Sequence, residues 1–302
     1  MGGHILKNNL QTIIMKYSFF MRFKKWMCLL LLALPVAPSE IASAATYQVG
    51  DVVTNFTFKA RRQFTRPDGT VVPAGSPVRI RDFAGRVVFI EWFAVWCPYC
   101  TAAFPETKYG IEDWYNARGG NPYGVPVLYV FVDLEHRNIY QAATTTYINS
   151  YVYSNTPVCN DYDVPDINPG YPVRKAFQPA NQPVFVAINC VTNSPTHQPW
   201  QVLVNHLGYL DLNFTNEIAS FRAAIDAVQP PVVPPQLTNA HRVGADFEFN
   251  FQTQIGRSYR VLGSTNLTTW TALRTNAGST NITTFRHTNA PSVRNFYRVV
   301  TP

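Results

Sequence analysis

Continuous apolar runs mark the centre of the first 230 residues. Residues 87–93 and 125–133 are almost wholly apolar, and helical patterns flank the second run. Strands buried on both faces of a sheet show this continuous pattern, so both runs predict central strands, the second of them parallel to its neighbour. Shorter apolar or alternating stretches predict further strands at 55–59, 78–83, 157–159, 182–188 and 201–206, and the turn residues 66–70 predict a hairpin into 71–72.

Helical periodicity alternates with these strands. It covers 98–116, where Pro105 predicts a kink, and 138–151, with a helical turn or two at 173–177. A closing helix is expected at 213–228, with Asn213 or Thr215 as the N-cap and one apolar face formed by Ile218, Phe221, Ile225 and Val228. Strands alternating with helices predict an α/β domain at 45–228, with a central mixed sheet flanked by helices.

The composition and pattern of the sequence change after this domain. Residues 229–235 contain four prolines and predict a stiff, extended linker. Residues 236–302 then show short alternating stretches, with turn candidates at roughly ten-residue spacing. This segment predicts a small all-β, sandwich-like domain. It carries seven arginines, no lysine and two acids, a net charge of +5.

Residues 1–44 have the pattern of a signal peptide. Several lysines and arginines precede a short apolar stretch, and Ala42-Ser43-Ala44 forms a small-x-small cleavage site. The alternative is an uncleaved membrane anchor, which Pro35 and Pro38 disfavour because they interrupt a run that is already short. Translation starting at Met15 or Met21 would give a more ordinary signal length. We therefore expect a periplasmic or secreted protein that begins near Ala45.

Charge excludes one class of partner. The chain has 25 basic and 18 acidic residues, of which five and one lie in 1–44, so the expected mature chain carries only +3. A balance this close to neutral does not predict nucleic-acid binding. None of the six histidines has a partner at metal-ligand spacing, and no metal or other cofactor is expected.

Two cysteines form the strongest chemical motif. Cys97 and Cys100 follow Trp96 directly, at the junction between the apolar run 87–93 and the helix that starts near Pro98. The positive end of a helix dipole favours a thiolate, which is the reactive form of cysteine. The spacing therefore predicts a redox-active dithiol.

The segment 91–105 resembles the active site of the thioredoxin superfamily. An acidic residue, Glu91, stands six positions before the first cysteine, Trp96 stands directly before it, and Pro105 stands five positions after the second. With an expected N-terminal strand pair and an export signal, residues 47–228 resemble the exported TlpA/ResA-like thiol-disulfide oxidoreductases. The resemblance implies a thioredoxin-like fold.

The resemblance also implies roles for individual residues. Cys97 would attack a substrate disulfide and Cys100 would resolve the mixed disulfide, so the two would form a redox-active pair. Glu91 would be a buried acid with a raised pKa that exchanges a proton with the dithiol. The alternative for Glu91 is an ordinary outward-facing strand residue, because the alternation around it is ambiguous.

A proline facing the dithiol is the other feature carried over from the family. Pro183 stands at the entry to the strand 182–188, where the family has a cis-proline, and a trans proline that merely starts a strand is the alternative. Gln182 would then present its backbone to an incoming peptide. Trp96, Pro98 and Tyr99 complete the expected substrate-binding set.

The sequence does not determine the direction of electron flow or the physiological partner. Pro98 and Tyr99 affect redox poise but do not reveal whether electrons leave or enter the dithiol. We favour a reductant or exchanger acting on thiols and disulfides of exported proteins, with a membrane electron donor as a further candidate partner. The alternatives are an oxidant that installs disulfides, and an adhesion or binding protein whose C-terminal β domain is the functional module. The oligomeric state is not predicted.

Cys159 and Cys190 lie 31 positions apart, outside the motif. In an oxidising compartment such a pair predicts a structural disulfide, which we favour. A second redox pair and two unpaired thiols are the alternatives.

Overall fold

The computed structural model describes residues 46–162, 171–178, 182–208, 215–291 and 294–301. The expected signal peptide and Asn213, one of the two candidate N-caps, lie outside these ranges.

A seven-stranded mixed sheet organises the first domain, with the strand order β4-β1-β7-β6-β5-β8-β9. A separate two-stranded hairpin, β2–β3, forms where the turn residues 66–70 predict it. The strands are β1 (Thr57–Ala60), β2 (Phe64–Thr65), β3 (Val71–Val72), β4 (Pro77–Arg79), β5 (Val87–Phe93), β6 (Val127–Asp133), β7 (Val158–Asn160), β8 (Val184–Asn189) and β9 (Gln201–Leu207).

Strand β5 lies near the centre of this sheet. It pairs in parallel with β6 and antiparallel with β8, and all seven of its residues are buried. Helices on both faces explain its continuous apolar pattern, because neither face meets water. The central strands predicted at 87–93 and 125–133 are confirmed, as is the parallel pairing of the second.

The helices follow the predicted positions closely. They are α1 (Pro98–Thr107), a π-helical segment (Lys108–Asp113), α2 (Trp114–Asn116), α3 (Asn138–Tyr151), α4 (Pro172–Phe177) and α5 (Thr215–Asp226). The stretch predicted as one kinked helix at 98–116 is helical throughout, and it changes from α to π geometry three residues after Pro105. A proline inside a helix removes a backbone donor, and the hydrogen-bond ladder is altered close to it.

Aromatic contacts show which helices cover which face. Phe104 of α1 and Tyr147 of α3 pack on Phe93, and Phe221 of α5 packs on Phe89. These two strand residues share a face of β5 with Glu91, because side chains alternate along a strand. On the opposite face, Phe177 of α4 packs on Trp92.

The strand expected at 78–83 is only partly formed. Strand β4 ends at Arg79, and Ile80–Phe83 is a 3₁₀ helix. The carboxylate of Asp82 accepts a hydrogen bond of 2.9 Å from the backbone N–H of Arg79. This local bond caps a turn, so the alternation of apolar residues there reflects two buried positions, Ile80 and Phe83, rather than an extended strand.

The C-terminal domain consists of two three-stranded antiparallel sheets, in the orders β10-β11-β14 and β13-β12-β15. Their facing aromatic and aliphatic residues form a separate small core that includes Phe249, Phe251, Tyr259 and Phe285. This arrangement is sandwich-like, as predicted. The strands are β10 (Leu237–Val243), β11 (Asp246–Gln252), β12 (Ser258–Ser264), β13 (Thr271–Ala277), β14 (Ile282–His287) and β15 (Phe296–Val300).

The proline-rich linker is hydrogen-bonded to this second domain. Gln254 donates to the carbonyl of Pro231 and Arg257 donates to the carbonyl of Pro230, both at 2.7 Å. The turn that carries these two side chains also touches the first domain, since a β-carbon added at Gly256 would lie 2.8 Å from the carbonyl oxygen of Pro122. Within the described ranges, no helix has the length and apolar character needed to span a membrane.

Candidate active site

The dithiol and the proline meet at one end of the sheet. Strand β5 ends at Phe93, and Cys97 is the N-cap of α1. Next to it, β8 starts directly after a cis peptide bond between Gln182 and Pro183. Because Trp92 pairs with Val184 across these strands, both features lie at the same edge. The structure therefore places Pro183 at the same edge of the sheet as the dithiol, with a cis peptide bond before it.

Cys97 and Cys100 form a disulfide, with their Cα atoms 5.2 Å apart. The backbone N–H of Cys100 donates a hydrogen bond of 3.2 Å to Sγ of Cys97, and this Sγ lies 3.8 Å from the carbonyl oxygen of Gln182. Cys97 is 4% exposed and Cys100 is fully buried. After reduction, the same N–H and the helix N-terminus would stabilise a thiolate on Cys97.

A groove of about 870 Å³ opens next to Cys97. Two exposed aromatic side chains border it, Trp96 at 45% and Tyr99 at 54% exposure. Its other described lining residues are Pro98, Arg174, Gln182 and Gly208. All four residues expected to bind substrate therefore line one groove, and the sequence did not identify Arg174.

Trp96 is covered from one side by an ion pair that the sequence did not reveal. The guanidinium of Arg137 lies 5.0 Å from the centre of the Trp96 ring. Arg137 is held by the buried carboxylate of Glu135 through two hydrogen bonds of 2.7 and 2.8 Å. This two-point contact fixes the plane of the guanidinium over the ring.

Glu91 is fully buried and contacts two polar side chains, those of Thr107 and Tyr129. Its Oε2 accepts a hydrogen bond of 2.5 Å from Thr107 and a second from the hydroxyl of Tyr129. Among the described residues, Oε1 has no hydrogen-bond partner. Burial raises the pKa of Glu91 to about 7, the hydrogen bonds from Thr107 and Tyr129 oppose that rise, and the charge of Glu112 adds to it. An outward-facing Glu91 is thus ruled out.

Thr107 lies on the same buried face of α1 as Cys100, two helical turns further along. Seven residues of helix correspond to roughly 10 Å of axial rise. The carboxyl group of Glu91 is therefore beneath the helix that carries the dithiol, nearer to its far end. The seven-residue spacing from Cys100 was a signal for Thr107 in the sequence, whereas Tyr129 has no comparable signal because its position depends on the pairing of β5 with β6.

The structure contradicts a Cys159–Cys190 disulfide. Cys159 lies in β7 and Cys190 directly follows β8, and both are buried free thiols. Strands β6 and β5 separate β7 from β8, which places them about 14 Å apart across the sheet. Cys159 is also level with Val184, six residues away from Cys190 along the strand. A disulfide requires Cα atoms within about 7 Å, so the favoured structural bond is wrong.

The remaining candidate chemistry is limited. Burial raises the pKa of both thiols, which keeps them neutral and unreactive. In the ranges that the structure describes, no group of three or more His, Cys, Asp and Glu side chains is placed to hold a metal ion. His206 packs between the rings of Phe185 and Phe221 instead.

No protein-family model matches the chain, and no curated protein matches it. Solved structures do resemble it. One from Chlorobium tepidum, assigned as a thiol:disulfide interchange protein DsbE, has 18% identity and a TM-score of 0.40 over 60% of this chain and 99% of that one. The pneumococcal exposed lipoprotein thioredoxin Etrx1 from Streptococcus pneumoniae has 16% identity and a TM-score of 0.34, covering 55% of this chain and 98% of that one.

A third similar structure, a thiol:disulfide interchange protein from Bacteroides sp., has 15% identity and a TM-score of 0.35 over 58% of this chain and 90% of that one. The fold itself is evident from the molecule. Strand β5 lies between a parallel and an antiparallel neighbour, the dithiol starts the helix that follows it, and a cis-proline precedes β8. The first domain of this chain therefore has a thioredoxin-like fold, to which an all-β C-terminal domain is added.

Proposed function

We propose that the protein is an exported thiol-disulfide oxidoreductase that exchanges disulfides with protein thiols, acting as a reductant or exchanger. The observation that carries this proposal is the placement of Cys97. Its Sγ lies at a helix N-terminus, receives the N–H of Cys100 and faces the carbonyl of Gln182 beside an open groove. A nucleophile, a resolving thiol and a backbone edge for a peptide are thus within one site.

The reaction would proceed in two exchanges. The Cys97 thiolate attacks one sulfur of a substrate disulfide, forms a mixed disulfide and releases the first substrate thiolate, which takes up a proton. Cys100 then loses its proton and attacks Sγ of Cys97. This step releases the second substrate thiol and leaves the Cys97–Cys100 disulfide, so two electrons pass from the dithiol to the substrate. A dithiol donor of another protein would restore the reduced form.

Glu91 is proposed as the group that takes the proton from Cys100. Its pKa of about 7 lets it exchange a proton near neutral pH, and its Oε1 has no hydrogen-bond partner among the described residues. The carboxyl group is held by Thr107, about two helical turns beyond Cys100. We therefore propose that the proton passes between Cys100 and Glu91 through intermediate proton carriers and not by direct contact. Gln182 would align the substrate backbone, and Trp96, Pro98 and Tyr99 would contact its side chains.

Trapping of mixed disulfides tests this proposal. Cys100→Ser should accumulate a covalent complex with a disulfide-containing protein such as insulin, because the resolving thiol is missing. Cys97→Ser should accumulate little or none, and Cys159→Ser should behave as wild type. Equal trapping by Cys97→Ser and Cys100→Ser would contradict the assigned roles, and a wild-type protein that reduces no protein disulfide would favour a binding function for the C-terminal domain.

Two further measurements address the direction of electron transfer and the export of the protein. A reduction potential close to that of thioredoxin, about −270 mV, supports a reductant, whereas a value near −120 mV supports an oxidant. N-terminal analysis of the protein in an extracytoplasmic fraction should find Ala45 first if residues 1–44 are a cleaved signal peptide.

We also propose domain limits at 45–228 and 236–302, with 229–235 as the linker.

A further inference from the structure

The outward side of the β13-β12-β15 sheet in the C-terminal domain carries exposed arginines. Tyr259 and Val261 of β12 and Val299 of β15 are buried in the small core of this domain. Side chains alternate along a strand, so the adjacent residues Arg260 and Arg298 point away from that core. Both of them are exposed. We call this outward side of the sheet the arginine face.

The two acidic residues of the C-terminal domain, Asp246 and Glu248, both lie in β11 of the other sheet. The Asp246 carboxylate accepts a hydrogen bond of 2.7 Å from Arg286. Glu248 alternates with the buried Phe249, so it points away from the sandwich on the opposite side from the arginine face. Packed sheets lie about 10 Å apart, which puts both carboxylates out of reach. Among the described residues, the arginine face therefore has no ion pair that neutralises it.

The positive charges on this face are close enough to repel one another. Arg260 is directly opposite Val300, and Arg298 is two residues before Val300 on the same strand. Such diagonal neighbours in an antiparallel pair lie about 7–8 Å apart. A third exposed arginine, Arg274, is in the adjacent strand β13. Like charges that face solvent together destabilise the folded domain, and a bound ligand with several negative groups would remove this cost.

Trp270 adds an aromatic ring to the arginine face. The guanidinium of Arg298 lies 4.2 Å from the centre of this ring, and Nε1 of Trp270 donates a hydrogen bond of 3.1 Å to the carbonyl of Leu267. The ring is half-buried and lies outside the small core. A neutral ring orients the guanidinium without cancelling its charge. This combination suits a sugar, because the apolar side of a sugar ring packs on an indole while an acidic substituent meets the guanidinium.

We propose that the arginine face binds a linear anionic polysaccharide, with Arg260 and Arg298 contacting acidic groups along the polymer and Trp270 contacting a sugar ring. Guanidinium and carboxylate groups form strong, charge-assisted hydrogen bonds. Two residues of strand span about 7 Å, so the contacts recur along the sheet as acidic groups recur along such a polymer. This inference does not depend on the exchange activity proposed for Cys97.

Titration calorimetry of the full chain with polygalacturonate tests the inference, and dextran serves as the neutral polymer. Wild type should bind polygalacturonate but not dextran, with an affinity that falls as ionic strength rises. Arg260→Gln and Arg298→Gln should each weaken this binding by about tenfold, the change that one charge-assisted hydrogen bond gives. Trp270→Ala should also weaken it, because the contact with the sugar ring is lost. A wild-type protein that does not bind polygalacturonate would overturn the inference.

Arg286→Gln is the matched control. It removes the same charge from the same domain, but Arg286 is in β14 of the other sheet and pairs with Asp246, so binding should stay close to that of wild type. Equal losses in Arg286→Gln and Arg260→Gln would attribute binding to net charge and overturn the assigned face. Single-stranded DNA should bind more weakly than polygalacturonate. Tighter binding of DNA, or wild-type affinity of Trp270→Ala for polygalacturonate, would overturn the assignment to a polysaccharide.

Chemical footprinting of wild type keeps the inference testable if a variant fails to fold. Phenylglyoxal modifies exposed arginines, and mass spectrometry reports the extent of modification at each position. Polygalacturonate should protect Arg260 and Arg298, whereas Arg286 should react equally with and without the polymer. Dextran should protect none of the three. The absence of protection at Arg260 and Arg298, or equal protection of Arg286, would overturn the inference without any variant.

Discussion

The hydroxyl of Thr107 donates a hydrogen bond of 2.5 Å to Oε2 of Glu91, and both side chains are completely buried. The hydroxyl of Tyr129 donates to the same oxygen. One strand and the helix above it are thus connected through an acid whose pKa is about 7. Because this value lies well above the ordinary 4.5, the stability of the protein should depend on pH through Glu91.

Glu91→Gln should reveal this dependence. Between pH 4.5 and 7 the folded state holds a proton on Glu91 that the unfolded state has released. The stability that this proton contributes is complete below pH 4.5 and is lost as pH rises through 7. Above pH 7, the variant should therefore be more stable than wild type by on the order of 3 kcal/mol, with little difference at pH 4.5.

Urea unfolding at several pH values, with the Cys97–Cys100 disulfide intact, measures this difference. Glutamine keeps an oxygen that accepts from Thr107 and Tyr129, so the comparison isolates the charge. A difference between the two proteins that stays constant from pH 4.5 to 8 would contradict a raised pKa for Glu91.

Tyr129→Phe should shift the titration of Glu91 upward. The hydrogen bond from Tyr129 stabilises the ionised carboxylate, so its loss raises the pKa above the value of about 7. Carbon-13 NMR of the Glu91 carboxyl group against pH gives the midpoint directly. Tyr115→Phe is the control, since Tyr115 is also a buried tyrosine but donates to Asp226. A lower or unchanged midpoint in Tyr129→Phe would refute the effect.

Cys159 and Cys190 should be thiols in the folded, air-oxidised protein. We expect neither to react with iodoacetamide under native conditions, because both are buried and their pKa values are raised. Both should be alkylated after denaturation without reductant. Mass spectrometry of the peptides checks this. Detection of a peptide in which Cys159 and Cys190 are joined by a disulfide would contradict the prediction.

Asn121→Ala should destabilise the first domain strongly. The buried Asn121 side chain donates to the carbonyls of Ile225 and Val228 at the end of α5, at 3.0 and 2.7 Å. Its Oδ1 accepts from two backbone N–H groups in the turn that follows. Loss of all four bonds leaves buried groups unsatisfied and should lower the free energy of unfolding by on the order of 3 kcal/mol.

Asn116→Ala provides the matched comparison for this change. Asn116 is exposed at the end of α2, so its replacement should alter the free energy of unfolding by less than about 0.5 kcal/mol. Chemical denaturation of both variants gives the two values. Similar losses in the two variants would show that Asn121 is not a structural clamp.

Gly256→Ala should loosen the contact between the two domains. A β-carbon there would meet the backbone oxygen of Pro122 and the ring of Tyr123, each at 2.8 Å, so the surrounding segments must move apart. Limited proteolysis should then cut the 229–235 linker faster than in wild type. Gly244→Ala introduces the same left-handed strain without a neighbour within 4 Å, and it should leave linker cleavage unchanged.

Equal cleavage of Gly256→Ala and wild type would show that this contact does not hold the domains together. Faster cleavage in both glycine variants would attribute the effect to backbone strain instead.

Local sequence patterns were sufficient for much of the fold and for the centre of the site. Cys97, Cys100 and Glu91 lie within ten residues of each other, so their relation follows from one strand and one helix. Pro183 was expected beside the dithiol through the resemblance to the thioredoxin superfamily, which has a proline at the entry to this strand. The prediction of a strand at 78–83 was wrong in its second half. There the Asp82 side chain caps a helical turn, and an alternating pattern of apolar residues does not indicate such a cap.

Other features depend on which strands become neighbours. Cys159 and Cys190 looked like a pair because sequence spacing does not indicate that β6 and β5 lie between their strands. Tyr129 reaches Glu91 only through the register of β5 with β6. Arg174 lines the groove because Asp161, directly after β7, accepts hydrogen bonds from the backbone at the start of its helix. Such contacts arise from the assembled sheet and have no periodic signature.

The pairing of β5 with β8 has a consequence for hydrogen exchange. The two strands that carry the dithiol and the cis-proline are joined by a continuous ladder from Val87 to Trp92 at the centre of the sheet. Amide protons in such a ladder exchange only when the whole domain opens. The active site should therefore remain assembled after peripheral elements such as the β2–β3 hairpin have frayed, and it should be among the last parts of the molecule to come apart.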